Sequence, residues 1–172
     1  MIYHHYRSKT DLFFAVYRHG MEINTRAVLP HVQADLSARE RLSGMAFAHA
    51  VTMMAEQPFQ RTLLEGVNMH QSSATTAAQR DMLSSLIETR DRYQALFRET
   101  IEALQREESL DIGDPSLAVM AFLAVLNSSV IWYTPRNEEA GDEQSQLAQT
   151  LVTYAMRGLG TDPAPFEGGT DS

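Results

Sequence analysis

Three groups of side chains in this 172-residue chain have types and spacings that could do chemistry. The first is Tyr3-His4-His5-Tyr6 followed by Arg7 and Lys9, rings and cations ahead of a helix start. Tyr3 and His4 near a DNA groove, with Lys9 and the free amides of a capped helix on a phosphate, is the binding they could perform. Taken by themselves, Ile2, Tyr3 and Tyr6 are helix-packing residues, because a phosphate site needs more than one lysine. The second group is His49 with Met45, Met53 and Met54, facing the aromatics Tyr93 and Phe97. Methionine-rich, aromatic-lined space suits a flexible apolar ligand, and it equally suits an ordinary core with one satisfied histidine. The third is Asn127, Trp132, Tyr133 and Arg136 at one end of an apolar helix. Trp132 could stack on a flat ring and Arg136 pair with a phosphate; otherwise they are a core anchor and a loop charge.

Other chemistry has no support. There is no G-x-S-x-G, no phosphate-cradling glycine loop, no H-E-x-x-H and no nucleotide fingerprint, so no catalytic residue and no cofactor is assigned. The six histidines form no ligand-spaced cluster, and adjacent His4 and His5 point to different sides of a helix, which makes a poor chelate. With no cysteine, disulfides and thiolate metal sites are excluded. No metal is expected.

The elements that must position these groups are helices. Ser8 can cap a first helix, with Asp11 near its positive end; Leu12, Phe13, Val16, Tyr17 and Ile23 give it an apolar stripe to about Arg26, before Pro30. Ser37-Ala38-Arg39-Glu40 is a capping box that opens a second helix with Leu42, Met45, Ala46, His49, Ala50, Met53 and Met54 on one face. Pro58 suits the first turn of a short helix, and 71–79 reads as a polar loop or frayed start. A long helix of about thirty residues follows, from Ala78 to Glu107, and would span about 45 Å. Asp114-Pro115 restarts the chain as N-cap and first helical residue. The helix from Pro115 to Tyr133 is apolar nearly all round, so it must be covered on both sides, within one bundle or by a second subunit. A last helix runs from about Asp142 to Gly158, and a tail with two prolines and three acids is expected to be disordered.

Composition fits one ordinary globular domain, 44% apolar and 21% charged. The longest wholly apolar run, Leu117 to Leu126, is short of a membrane span, and no leader pattern opens the chain; no membrane partner and a cytoplasmic location are the expectation. The net charge of −8 speaks against nucleic acid, yet residues 1–30 carry four cations against two acids. A basic end on an acidic body suits a DNA-binding head on a ligand-binding or dimerising body, and equally an uneven solvated surface.

The stretch IYHHYRSKTDLFFAV, residues 2–16, resembles the end of the helix-turn-helix and the start of the next helix in TetR-family transcriptional repressors. Leu126 to Glu139, LNSSVIWYTPRNEE, resembles the C-terminal part of a branch of that family regulating steroid and fatty-acyl catabolism, whose effectors are CoA thioesters. Ser128 departs from a basic residue that some members of that branch carry there. The resemblance implies an all-α, TetR-like helical bundle: residues 1–30 as the end of the DNA-binding head plus a connecting helix, 31–160 as ligand-binding and dimerisation domain, 161–172 as tail. It further implies DNA contact by Tyr3, His4 and Lys9. An effector, small and apolar or acyl-CoA-like, would meet His49, Met53, Tyr93, Phe97, Asn127, Trp132 and Arg136. The last two helices would pair in a homodimer, and effector binding would release operator DNA. In the family two further helices precede the motif, so this chain taken alone is expected not to hold an operator tightly; a stand-alone ligand-binding and dimerising module is the alternative.

Overall fold

The computed structural model describes residues 9–61, 64, 76–134 and 140–166, with the side chains of Lys9 and Ala140 outside the description. The regular structure among these residues is helical, with no strand, as the periodicity predicts. In order come α1 (Lys9–Val32), α2 (Ala38–Ala55), α3 (Ala77–Glu108), α4 (Pro115–Asn127), α5 (Ser129–Trp132) and α6 (Ala140–Gly158). Residues 57–61 are also helical.

Local signals explain most of the boundaries. Ser37 accepts from the Glu40 amide while the Glu40 carboxylate accepts from the Ser37 amide at 2.9 Å, the predicted capping box. Thr76 and Gln79 form a second box at the start of α3, a T-x-x-Q signal; the rest of the expected polar loop, residues 71–75, lies outside the described residues. Asp114 caps α4 with Pro115 at its first turn.

Other boundaries depart from the sequence reading. α1 does not stop before Pro30 but carries it in its last turn, where the missing amide removes one hydrogen bond and burial of Val28 holds the helix on course. It therefore runs unbroken through residue 30, where a domain boundary is expected. The apolar helix from Pro115 breaks at Ser128. Its hydroxyl bonds back to the Val125 carbonyl at 2.7 Å, the backbone tightens, and α5 restarts one residue later. The eighteen residues Pro115–Trp132 are long and apolar enough to cross a membrane, longer than the run counted from sequence, but they are interrupted here. Val119, Phe122, Leu123 and Leu126 of α4 are buried in the core.

α2 is the hub: it packs against α1, α3, α4, α5 and α6. Its inner face, Leu42, Met45, Ala46, His49, Ala50, Met53 and Met54, is buried as predicted. The core is completed by Phe14 and Tyr17 of α1, Phe97, Ile101 and Leu104 of α3, and Val152 and Met156 of α6. Removing each large apolar side chain of this set from water is favourable by about 1.5–3 kcal/mol. The tail also differs from expectation. Residues 161–166 pack on α2 through an Ala164 amide donating to buried Ser43 Oγ at 2.9 Å and through Phe166 against Phe47. Proline and acid content signalled disorder, whereas Ala164 and Phe166 supply a foothold; residues 167–172 lie outside the described chain.

The crossing of α1 and α2 requires Gly44. A Cβ there would overlap the imidazole of His31 on the last turn of α1. Gly44→Val should lower stability by about 1–3 kcal/mol in urea unfolding, with His31→Ala restoring part of it. A Gly44→Val chain as stable as the parent would show that the helices do not meet this closely.

Candidate functional site

The buried histidine on α2 organises the site. His49 is 3% exposed and must satisfy both ring nitrogens inside the bundle. Nδ1 lies 2.7 Å from the Tyr93 hydroxyl on α3, and Nε2 lies 2.8 Å from Asn127 Oδ1 at the end of α4. An amide oxygen only accepts, so with Asn127 in this orientation Nε2 carries the proton and Nδ1 accepts from Tyr93. Three helices are thus tied through one neutral imidazole. Phe97 stands edge-on to His49 at 5.9 Å, and Tyr93 and Phe122 continue the aromatic wall. Met53 is buried one helical turn beyond His49. Desolvation holds the His49 pKa down to about 4, and burial pushes the Tyr93 phenol up.

The structure therefore gathers His49, Tyr93, Phe97 and Asn127 into one cluster. It does not gather Trp132. That side chain, expected as a stacking platform or core anchor, is 51% exposed on α5 beside Ile131 at 78%. Trp132 follows Asn127 by five residues, about 140° round a helix, and so leaves Asn127's face. Tyr133, its neighbour, takes the buried position, and its hydroxyl has no hydrogen-bond partner among the described residues. Arg136, Tyr3 and His4 lie outside the described residues. Lys9 begins α1, with its side chain outside the description.

Sequence reasoning missed the polar ties around this cluster. Gln57 Nε2 donates to the Val130 and Tyr133 carbonyls at 2.9 and 2.7 Å, and Arg61 also reaches Val130 O, satisfying carbonyls at the end of α5. Gln60, in the same short helix, exchanges two hydrogen bonds with Asn24 of α1 at 3.0 and 2.7 Å, both side chains buried. A continuous set of contacts therefore leads from Asn127 through α5 and residues 57–61 to α1. Its only sequence signal is polar residues at helical positions otherwise expected to be apolar.

A second feature is an uncovered apolar face. Leu117 and Met120 of α4 are 65% and 61% exposed, and Tyr154 of α6 is 61% exposed. Leu117 and Tyr154 line a shallow groove of about 340 Å³ with Ala121, Val125 and Leu159.

The class is that of an all-helical body with a closed polar cluster inside and a bare apolar face on its last helices. The chain belongs to the TetR family: the tetracyclin repressor-like C-terminal domain matches residues 35–159. A TetR-family regulatory protein from Rhodococcus RHA1 is similar at a TM-score of 0.74 and 17% identity, over 90% of this chain and 76% of that one. PfmR, a TetR-family regulator from Thermus thermophilus, gives 0.67 and 20%, over 87% and 78%. AibR, solved with isovaleryl coenzyme A and operator DNA, gives 0.62 and 21%, over 88% and 77%. No curated protein matches the chain.

The histidine gives the site a pH signature. Unfolded, its pKa is near the ordinary 6.5; folded, it is about 4. Between these values the unfolded chain binds the extra proton, so this contribution to stability is present above pH 6.5 and is lost as pH falls toward 4. At pH 5 the folded chain should be about 2 kcal/mol less stable than at pH 7.5 from this group. His49→Gln should remove that part of the slope in urea unfolding at the two pH values; an unchanged slope would contradict a neutral, desolvated His49.

Proposed function

We propose that this protein is a ligand-responsive TetR-type repressor. An effector enters among α2, α3 and α4, at His49, Met53, Tyr93, Phe97 and Asn127, and its binding releases operator DNA. The observation that carries this reading is the His49 cluster itself: a polar centre in an apolar, aromatic wall, with its helices linked to α1 by hydrogen bonds. An effector group that accepts from His49 Nε2–H takes the place of Asn127 and frees the end of α4. The effector is small and apolar or acyl-CoA-like. The acyl reading draws on the likeness of residues 126–135 to the acyl-responsive branch and on AibR, which was solved with isovaleryl coenzyme A. By the resemblance of residues 2–16, Tyr3 and His4 at the end of the recognition helix and Lys9 at the start of α1 contact operator DNA, and Arg136 is the cation available to a phosphate. Trp132 stays a proposed contact for the effector's ring, at the rim of the site. The apolar faces of α4 and α6 pair two chains, holding two heads at the spacing of successive major grooves, and effector binding shifts that spacing.

Two measurements test this. Isovaleryl coenzyme A and longer acyl-CoA thioesters should raise the melting temperature of the chain and change Trp132 fluorescence, and Asn127→Leu should weaken binding at least tenfold. No response to any thioester would remove the acyl-CoA reading. For the pairing, sedimentation should give a dimer that Met120→Glu with Tyr154→Glu converts to a monomer. A parent chain monomeric at tens of micromolar would overturn the dimer.

A further inference from the structure

The hub helix has a second, partly buried face at the edge of the core. Gly44, Phe47, Ala48 and Val51 line it at helical spacing, with Ser43 and Thr52 at its margins. This face forms the floor of a cavity of about 640 Å³, within the range that holds a drug-sized ligand. Ala27 and His31 of α1 and Leu36 of the following turn make one wall; Gln149 of α6 and the tail residues Ala164, Pro165 and Phe166 make the other. The tail wall is built rather than draped. Ala164 is fixed to Ser43, Phe166 lies against Phe47 with ring centroids 5.7 Å apart, and Thr161 donates to Glu108 at 3.1 Å. Glu108 is itself held by Arg39 through two hydrogen bonds of 2.6 and 2.7 Å.

The polar groups at this cavity indicate what it takes. Glu40 is the one carboxylate in the lining among the described residues, and no lysine or arginine accompanies it there. Hydrogen bonds from Ser37 use Oε2 and favour the ionised form, while Oε1 accepts nothing among the described residues. Arg39, one residue away, is spent on Glu108. The side chains of His31 and Gln149 make no hydrogen bond among the described residues. An apolar floor with Phe47 on it and Phe166 on the facing wall, a single fixed negative charge at the mouth and a chain of net charge −8 match an apolar body carrying an amine.

We propose that the cavity between α1, α2 and the C-terminal tail is a second ligand site, for a cationic amphiphile whose ammonium pairs with Glu40 and whose apolar part lies along Gly44, Phe47, Ala48 and Val51. It lies on the opposite side of α2 from His49, so two ligands share one helix without sharing a residue.

The test uses the full chain with N-phenyl-1-naphthylamine as a neutral fluorescent probe, displaced by decylamine or decanoate below their micelle concentrations. Decylamine should displace the probe at least tenfold more effectively than decanoate. Glu40→Gln, which keeps the capping box, should erase that preference; Ala48→Trp should abolish displacement by filling the cavity. Both effects should be the same with and without saturating isovaleryl coenzyme A, which separates this site from the effector site proposed above. If Ala48→Trp does not fold, Val51→Phe on the same wall replaces it. Absence of probe binding, equal displacement by amine and carboxylate, or displacement that survives the filled cavity would each overturn the proposal.

Discussion

A histidine buried among helices must have both ring nitrogens engaged, and much of this structure follows from meeting that requirement. His49 sits on the helix that every other numbered helix touches. Its two partners come from α3 and from the last residue of α4, so one imidazole sets the relative position of three helices. The ring is desolvated enough to stay neutral, which removes the cost of a buried charge but leaves a strict demand for geometry. The break after Asn127 belongs to the same arrangement: α4 ends where its final side chain must reach His49, and Gln57 and Arg61 take up carbonyls at the end of the short helix that follows.

A tie of this kind is a natural control point because its parts exchange partners rather than simply breaking. A ligand that offers His49 a better acceptor releases Asn127, and the carbonyls held by Gln57 and Arg61 lie within the next two turns. Gln60 then connects to Asn24, well inside the helix that leads toward residues 1–8. Both amides are buried and mutually satisfied, so a displacement of residues 57–61 is resisted at α1 or passed along it. Apolar packing alone would let these helices slide at lower cost.

The sequence made the local features legible. Ser37 with Glu40, Asp114 with Pro115, and the inner stripe of α2 can be read because capping and helical periodicity act over a few residues. The closeness of His49 to Tyr93 and Phe97 was also legible, as a shared polar and aromatic face. The Asn127 bond was not, since it joins residues 78 apart in sequence and depends on where α4 stops. Nor was the outward turn of Trp132: an apolar run through Ser128 reads as one helix, and two serine hydroxyls bonding back to the preceding turn are invisible to periodicity. The outer face of α2 was hidden for a different reason. Gly44, Ala48 and Val51 are small enough to pass as filler until His31 and the tail are seen to close around them.

The most direct test of this account is the ring-nitrogen NMR spectrum of His49 as a function of pH, assigned by comparison with His49→Gln. The account predicts a neutral imidazole with its proton on Nε2 that persists unchanged from pH 8 to pH 5. A ring that titrates near the ordinary 6.5, or that carries its proton on Nδ1, would contradict the tie on which the three helices and the proposed effector site depend.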